Sequence, residues 1–180
     1  MHQDISKILL TEEQIQSKVK ELAAQLSADY AGKDPVFVGV LKGVVMFFGD
    51  VMKHIETPCQ MDFMWISSYG HGTTSGQMVL KRDVSENLTG RHVVILEDIF
   101  DTGNSLQFTY EHLLSKNPAS LKICTLLDKP ERRRAGITVQ ADYVGYTIPN
   151  EFVVGYGLDY AEHYRNLSYI GILKPEVYEK

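Results

Sequence analysis

The segment Val93-Val94-Ile95-Leu96-Glu97-Asp98-Ile99-Phe100-Asp101-Thr102-Gly103-Asn104-Ser105 joins an apolar run to three carboxylates and a polar, glycine-containing turn. Residues 92–96 predict a buried β-strand, and residues 105–116 predict a helix. Ligands of open α/β sheets bind beyond the carboxyl ends of the strands. A helix N-terminus attracts anions because its first N–H groups are unpaired. This segment therefore predicts a phosphate site at a strand-to-helix turn.

The polar residues of this turn suit different parts of a sugar phosphate. Side-chain donors are supplied by Thr102, Asn104 and Ser105. Gly103 lets the backbone come close to a ligand. Glu97 and Asp98 only accept hydrogen bonds, so they suit ribose hydroxyls or the water around a divalent cation. An ordinary helix N-cap with solvated acids would explain Asp101 alone, but not a Glu-Asp pair that ends an apolar strand.

Apolar patterning outside this segment predicts an α/β fold in a single domain, residues 1–180. Predicted strands are residues 36–41, 61–66, 79–82, 92–96, 121–127, 142–146 and 152–156. Predicted helices are residues 11–31, 44–54 and 105–116. The first helix begins with a capping box of Thr11 and Gln14. Strands that alternate with helices are typical of a parallel sheet.

Composition excludes several classes of function. The net charge of −5 argues against nucleic acid as a partner. No apolar run reaches the roughly 18 residues of a membrane helix, and residues 1–4 lack the pattern of a signal peptide. Cys59 and Cys124 form no zinc or redox motif. We therefore expect a cytoplasmic protein without a membrane partner, and we interpret the arginines at 132–134 as a solvated run.

Residues 93–105 resemble the signature with which type I phosphoribosyltransferases bind 5-phosphoribosyl-1-pyrophosphate. Further motifs occur in the same order and at similar spacing as in bacterial hypoxanthine phosphoribosyltransferases. These motifs are Leu41-Lys42-Gly43, Ser67-Ser68-Tyr69-Gly70, Leu126-Leu127-Asp128-Lys129 and Phe152-Val153-Val154-Gly155-Tyr156-Gly157-Leu158-Asp159-Tyr160. The resemblance spans residues 9–171. Phe100 stands where this family more often has Ile, an apolar replacement that leaves the acids intact.

The resemblance implies a fold, an activity and a cofactor. The fold is a parallel twisted sheet flanked by helices, with a small hood built from N- and C-terminal segments. The activity is purine salvage, in which the phosphoribosyl group passes from 5-phosphoribosyl-1-pyrophosphate to hypoxanthine or guanine. The products are IMP or GMP and pyrophosphate. The resemblance also implies Mg²⁺ as cofactor and a homodimer or homotetramer.

The resemblance assigns roles residue by residue. At the purine, Lys129 contacts the 6-oxygen, Phe152 stacks on the base and the backbone of Val153 contacts its edge. At the pyrophosphate, the residues implied are Lys42, Gly43, Ser68, Tyr69, Asp159 and Arg165, with a cis peptide before Lys42. The ribose 5-phosphate is bound by residues 101–105. The metal is assigned to Glu97, Asp98 and Asp159.

Two further expectations concern the reaction. Asp101 is the candidate catalytic base that accepts the proton from purine N7. Residues 67–76 are rich in Ser, Thr and Gly, and we expect them to form a lid that excludes water while the ribose is reactive.

Two alternatives remain open at this point. The chain could be a regulator that binds the sugar phosphate without catalysis, although such a protein should show a basic face or an added DNA-binding domain. It could also be an enzyme for another base, such as xanthine, adenine or uracil. Lys129 favours a 6-oxopurine because an ammonium group only donates hydrogen bonds.

Overall fold

A computed structural model describes residues 1–69 and 77–179. Its strands are β1 (Ile5–Leu10), β2 (Val36–Leu41), β3 (Gln60–Tyr69), β4 (Gln77–Arg82), β5 (His92–Phe100), β6 (Ser120–Asp128), β7 (Tyr143–Thr147), β8 (Val153–Val154) and β9 (Ile170–Leu173). Its helices are α1 (Glu12–Asp29), α2 (Val45–Met52), α3 (Asn104–Leu114) and the short α4 (Pro175–Tyr178). None of the helices in the described ranges is both long enough and apolar enough to span a membrane.

The main sheet has six strands in the order β4-β3-β2-β5-β6-β7. All neighbouring pairs run parallel except β3 and β4, which are antiparallel. The central strands are apolar along nearly their whole length because helices cover both faces of a parallel sheet. One core layer packs under α1 and α2, and the other packs under α3. The carboxyl ends of β2, β5 and β6 therefore meet at one edge.

Helix α1 begins as the sequence predicts. Thr11 Oγ1 accepts a hydrogen bond from the Gln14 amide at 3.3 Å, and Gln14 Oε1 accepts one from the Thr11 amide at 2.9 Å. The face that recurs at helical spacing is fully buried against the sheet, through Ile15, Val19, Leu22, Ala23 and Leu26. The predicted capping box and core face are both confirmed.

The N- and C-terminal parts of the chain form a second, three-stranded sheet in the order β1-β9-β8. Ile5 pairs with Leu173 and Val153 pairs with Ile172, so distant segments meet in this sheet. The Tyr156 hydroxyl donates to Asp50 Oδ2 at 2.6 Å, which ties the segment after β8 to α2. This small sheet is the hood that the resemblance implies.

Several boundaries differ from the sequence-based expectation. Strand β5 continues to Phe100, which places Glu97 and Asp98 on the strand and not in the turn after it. Strand β3 continues to Tyr69 because residues 67–69 pair with β4, so the predicted loop begins later. The other residues of the predicted lid, 70–76, lie outside the described residues. Strands β1 and β9 escaped prediction because their pairing joins residues more than 160 positions apart.

Candidate active site

A cavity of about 520 Å³ opens at the carboxyl ends of β5 and β6, beneath the hood. It brings together eight of the residues that the sequence singled out. These are Gly43, Asp98, Asp101, Lys129, Phe152, Val153, Asp159 and Arg165. Asp98 lies on β5, Gly43, Asp101 and Lys129 follow the ends of β2, β5 and β6, and the last four lie in the segment that begins just before β8. The cavity therefore lies where the ligands of an open α/β sheet are expected.

Two adjacent carboxylates are buried at the end of β5. Burial, followed by the charge of Asp98, raises the pKa of Glu97 well above its usual value. Burial raises the pKa of Asp98 to about 6, although its backbone hydrogen bonds and Arg165 oppose the shift. Asp98 Oδ1 accepts a hydrogen bond from the Ile99 amide at 2.9 Å. Glu97 Oε2 is buried and has no hydrogen-bond partner within the described part of the chain.

The loop after β2 packs closely against the Asp98 carboxylate. The peptide between Leu41 and Lys42 is cis, as the resemblance implies. A Cβ atom on Gly43 would overlap the carboxylate of Asp98, and one on Gly157 would overlap the carbonyl oxygen of Gly43. Both positions consequently require glycine, and the close approach fixes the loop between β5 and the hood.

Asp101 lies directly beyond β5 and faces two cations. Arg132 Nε donates to Asp101 Oδ1 at 3.2 Å, and Lys129 Nζ lies 3.9 Å from Asp101 Oδ2. Its side chain is about one-third exposed, at 35%. The carboxylate is thus accessible from the cavity and lies beside the lysine predicted to recognise the purine.

The interpretation of residues 132–134 as a solvated run is wrong for Arg133, which is only partly exposed, whereas Arg132 and Arg134 are exposed. Arg132 donates a hydrogen bond to Asp101, and Arg133 binds carbonyl groups at the turn after β5. The Arg133 guanidinium lies 3.2 Å from the centre of the Phe100 ring and donates to the Phe100 carbonyl at 2.6 Å. It also donates to the Asp101 carbonyl and pairs with Asp128. The sequence signal that could have found it is the Asp128 carboxylate five residues earlier.

The end of the cavity that the sequence predicts to bind the purine, here called the purine end, combines a buried cation with stacked rings. Lys129 is buried, and burial lowers its pKa, with Asp101 opposing the shift. Its ammonium donates to the Glu151 carbonyl at 2.8 Å. The rings of Phe152 and Tyr178 stack at a centroid distance of 4.8 Å and an interplanar angle of 21°. Tyr178 lines the cavity and was missed, because nothing local marks a tyrosine near the C-terminus as a site residue.

The opposite end is rich in charge. Arg165 Nη2 lies 2.8 Å from Asp159 Oδ1, and Arg165 Nη1 donates to the Gly157 carbonyl at 2.7 Å. Asp159 Oδ2 accepts from the Glu162 amide at 2.9 Å. Asp159 also raises the pKa of Asp98, since the two carboxylates repel each other.

Within the predicted 5-phosphate loop, Asp101 lines the cavity, whereas residues 102–105 lie beyond its wall. Gly103 precedes α3 with φ of 91°, and a Cβ there would overlap Ile137. The first main-chain bond of α3 runs from the Gln107 amide to the Gly103 carbonyl at 2.8 Å. The amides before it have no partner within the helix, so they can bind an anion. Lys42 and Glu97 are not among the residues that line the cavity, and the side chains of Ser68 and Tyr69 lie outside what the structure describes.

Comparisons with known proteins agree with this architecture. Residues 6–161 match the model of the phosphoribosyl transferase domain. This chain belongs to the phosphoribosyl transferase family. It is similar to the hypoxanthine-guanine phosphoribosyltransferase of Streptococcus agalactiae, with 52% identity over 100% of this chain and 99% of that one.

A crystal structure of a hypoxanthine phosphoribosyltransferase from Staphylococcus aureus superposes with a TM-score of 0.95. The two chains share 53% identity, and the match covers 100% of this chain and 97% of the other. The chain also spans 28% of the bifunctional protein TilS/HprT of Listeria innocua, at 50% identity. The family and the fold predicted from the sequence are confirmed.

Proposed function

We propose that this protein transfers the 5-phosphoribosyl group of 5-phosphoribosyl-1-pyrophosphate to hypoxanthine and guanine. IMP or GMP and pyrophosphate are the products, which places the reaction in purine salvage. The observation that carries this proposal is that the buried Lys129 and the ring of Phe152 line one cavity together with Asp98 of β5. A 6-oxopurine fits that combination, because Lys129 donates hydrogen bonds and the exposed ring of Phe152 offers a stacking surface.

The donor fits the opposite end of the cavity. The amides at the start of α3, with the side chains of Thr102, Asn104 and Ser105, would bind the 5-phosphate. Glu97 and Asp98 would orient the ribose by accepting hydrogen bonds from its hydroxyl groups. Lys42, Gly43 and Arg165 would bind the pyrophosphate. The lid over this end, with Ser68 and Tyr69, stays a prediction.

Asp101 is the proposed general base. Bond breaking to pyrophosphate leaves positive charge on the ribose, and attack by the purine requires removal of its N7 proton. Asp101 is the first residue of the 5-phosphate loop, and its carboxylate lies 3.9 Å from Lys129 Nζ, so it would be within reach of a base held by Lys129. Its position suits proton transfer.

The acids at the donor end fit a divalent cation. Glu97 and Asp98 are buried carboxylates with raised pKa values, and one Glu97 oxygen has no hydrogen-bond partner among the described residues. This end of the site therefore lacks a compensating positive charge. Glu97, Asp98 and Asp159 would hold Mg²⁺ directly or through water. No group of three metal-binding side chains is assembled within the described residues, so phosphate oxygens of the donor must complete the ligands. Bound Mg²⁺ would neutralise the leaving pyrophosphate.

The decisive experiment is pyrophosphate release with Mg²⁺, the donor and each free base in turn. We expect turnover with hypoxanthine and guanine, little with adenine, and none after exhaustive chelation. Binding of the donor without turnover on any base would instead identify a regulator. Turnover with adenine or uracil alone would assign the enzyme to another base.

Self-association is a further proposal. Met61, Trp65 and Val79 are exposed apolar side chains on β3 and β4, with exposed fractions of 62%, 38% and 40%. Such residues favour contact between copies of the chain, in a homodimer or homotetramer. Light scattering after gel filtration measures the state directly.

A further inference from the structure

The carboxylate of Glu162 lies between two cations that the proposed function assigns to pyrophosphate. Lys42 Nζ donates to Glu162 Oε2 at 3.1 Å, and Arg165 Nη2 donates to the same oxygen at 3.4 Å. Nothing in the sequence motifs gave Glu162 a role. Glu162 Oε2 thus accepts hydrogen bonds from two cations, as a phosphate oxygen can also do.

The backbone holds Glu162 in this place. Its amide donates to Asp159 Oδ2 at 2.9 Å, and the Tyr160 amide donates to the His163 carbonyl at 3.2 Å. Ala161 and Glu162 have φ of 49° and 66°, in the left-handed region that residues with a Cβ seldom occupy. The side chain is therefore directed by a constrained turn next to Asp159.

The negative charge of Glu162 opposes an incoming pyrophosphate. Glu162 forms ion pairs with both Lys42 and Arg165, so its carboxylate carries charge of the same sign as pyrophosphate. A carboxylate and a pyrophosphate repel each other at contact distance. Both ion-pair partners are open to water, with exposed fractions of 49% for Lys42 and 63% for Glu162. An exposed pair of this kind is weak and can be replaced by a more highly charged anion.

We propose that Glu162 is a positioning residue that acts as an internal stand-in for pyrophosphate. It holds Lys42 and Arg165 together in the free protein, and the pyrophosphate of the donor displaces it. The inference rests on the proposed function for the identity of the incoming anion. It adds that donor affinity is set by competition with a side chain of the protein itself.

Glu162→Gln tests the competition because it keeps the shape and removes the charge. We expect the KM for the donor to fall about two- to fivefold, the range set by an exposed ion pair, while the KM for hypoxanthine stays the same. The gain should shrink at high salt, since exposed charges are screened. Glu162→Asp keeps the charge and should lie closer to the wild type. Glu56→Gln removes an exposed charge that forms no ion pair in the described chain and serves as control.

Calorimetric binding of pyrophosphate with Mg²⁺ separates this inference from the proposed function. Tighter binding by Glu162→Gln supports displacement even if the wild type shows no turnover with any base. Weaker or unchanged binding overturns it, because Glu162 would then help to bind the anion or have no influence on it. Failure of the wild type to bind pyrophosphate overturns it as well.

Discussion

The two ends of the cavity differ in how completely the protein itself supplies partners for their polar and charged groups. At the purine end, the Lys129 ammonium already has the Glu151 carbonyl as partner, and the Phe152 ring is stacked with Tyr178. At the donor end, Glu97 and Asp98 are buried side by side, and one Glu97 oxygen has no partner among the described residues. In the proposed reaction, a neutral base would enter a site that is already formed. A highly charged donor with its cation would instead supply the charge that the other end lacks.

Asp101 lies between the two ends, and removing its charge should produce the largest effect. Asp101→Asn should lower kcat about 10²–10⁴-fold, because the amide cannot accept the N7 proton. Donor binding should be nearly unaffected, since the 5-phosphate is held by amides and neutral side chains. Steady-state kinetics with a parallel binding measurement check both expectations. Near-normal turnover would remove Asp101 from the role of base.

Lys129 is the residue proposed to make the purine end selective, and its removal should give the next largest effect. Lys129→Ala should lower kcat/KM for hypoxanthine about 5- to 150-fold, the equivalent of a lost buried hydrogen bond worth about 1–3 kcal/mol. The low rate with adenine should change much less, because a 6-amino group does not accept this hydrogen bond. Lys20→Ala, on the exposed face of α1, controls for loss of charge. Equal losses with both bases would give Lys129 a structural role.

Tyr178 tests whether the stacked rings belong to the purine site. Tyr178→Ala should raise the KM for hypoxanthine about 2- to 10-fold, in line with about 0.5–1.5 kcal/mol for an aromatic pair. The KM for the donor should stay the same. Tyr178→Phe keeps the ring and should match the wild type. An unchanged KM for hypoxanthine in the alanine variant would exclude this tyrosine from base binding.

Glu97 and Asp98 make the stability of the cation-free protein depend on pH. Their pKa values are raised in the folded state, so the stability they contribute is present at acidic pH and is lost as the pH rises through the folded-state pKa, which is about 6 for Asp98. Glu97→Gln should raise Tm at pH 8 by about 2–4 °C for each kcal/mol of relieved repulsion, and by less at pH 5.

Differential scanning fluorimetry without divalent cation measures both values of Tm, with Glu56→Gln as the charge control. A lower Tm at pH 8 for the Glu97 variant would show that this carboxylate has a stabilising partner.

Local sequence patterns were sufficient to predict those features that are formed by local interactions. The strand-to-helix turn, the capping box of α1 and the alternation of strands and helices in the main sheet follow from residue types and spacing within about 20 positions. The same reasoning failed for Arg133 and Tyr178. In the sequence Arg133 resembles a solvated surface charge, but in the fold its guanidinium packs against the Phe100 ring. Tyr178 can be assigned to the site only because the hood places it against Phe152.

The sequence by itself determined the family, the parallel sheet and the identity of the acids and cations at the site. Tertiary structure decided which of these groups are buried, and burial controls their chemistry. Asp98 and Asp101 are three positions apart, yet one is buried beneath Gly43 and the other is open to the cavity. That difference arises because the hood and the loop after β2 close over the end of β5. The contacts involved join residues more than 50 positions apart, and no local pattern encodes them.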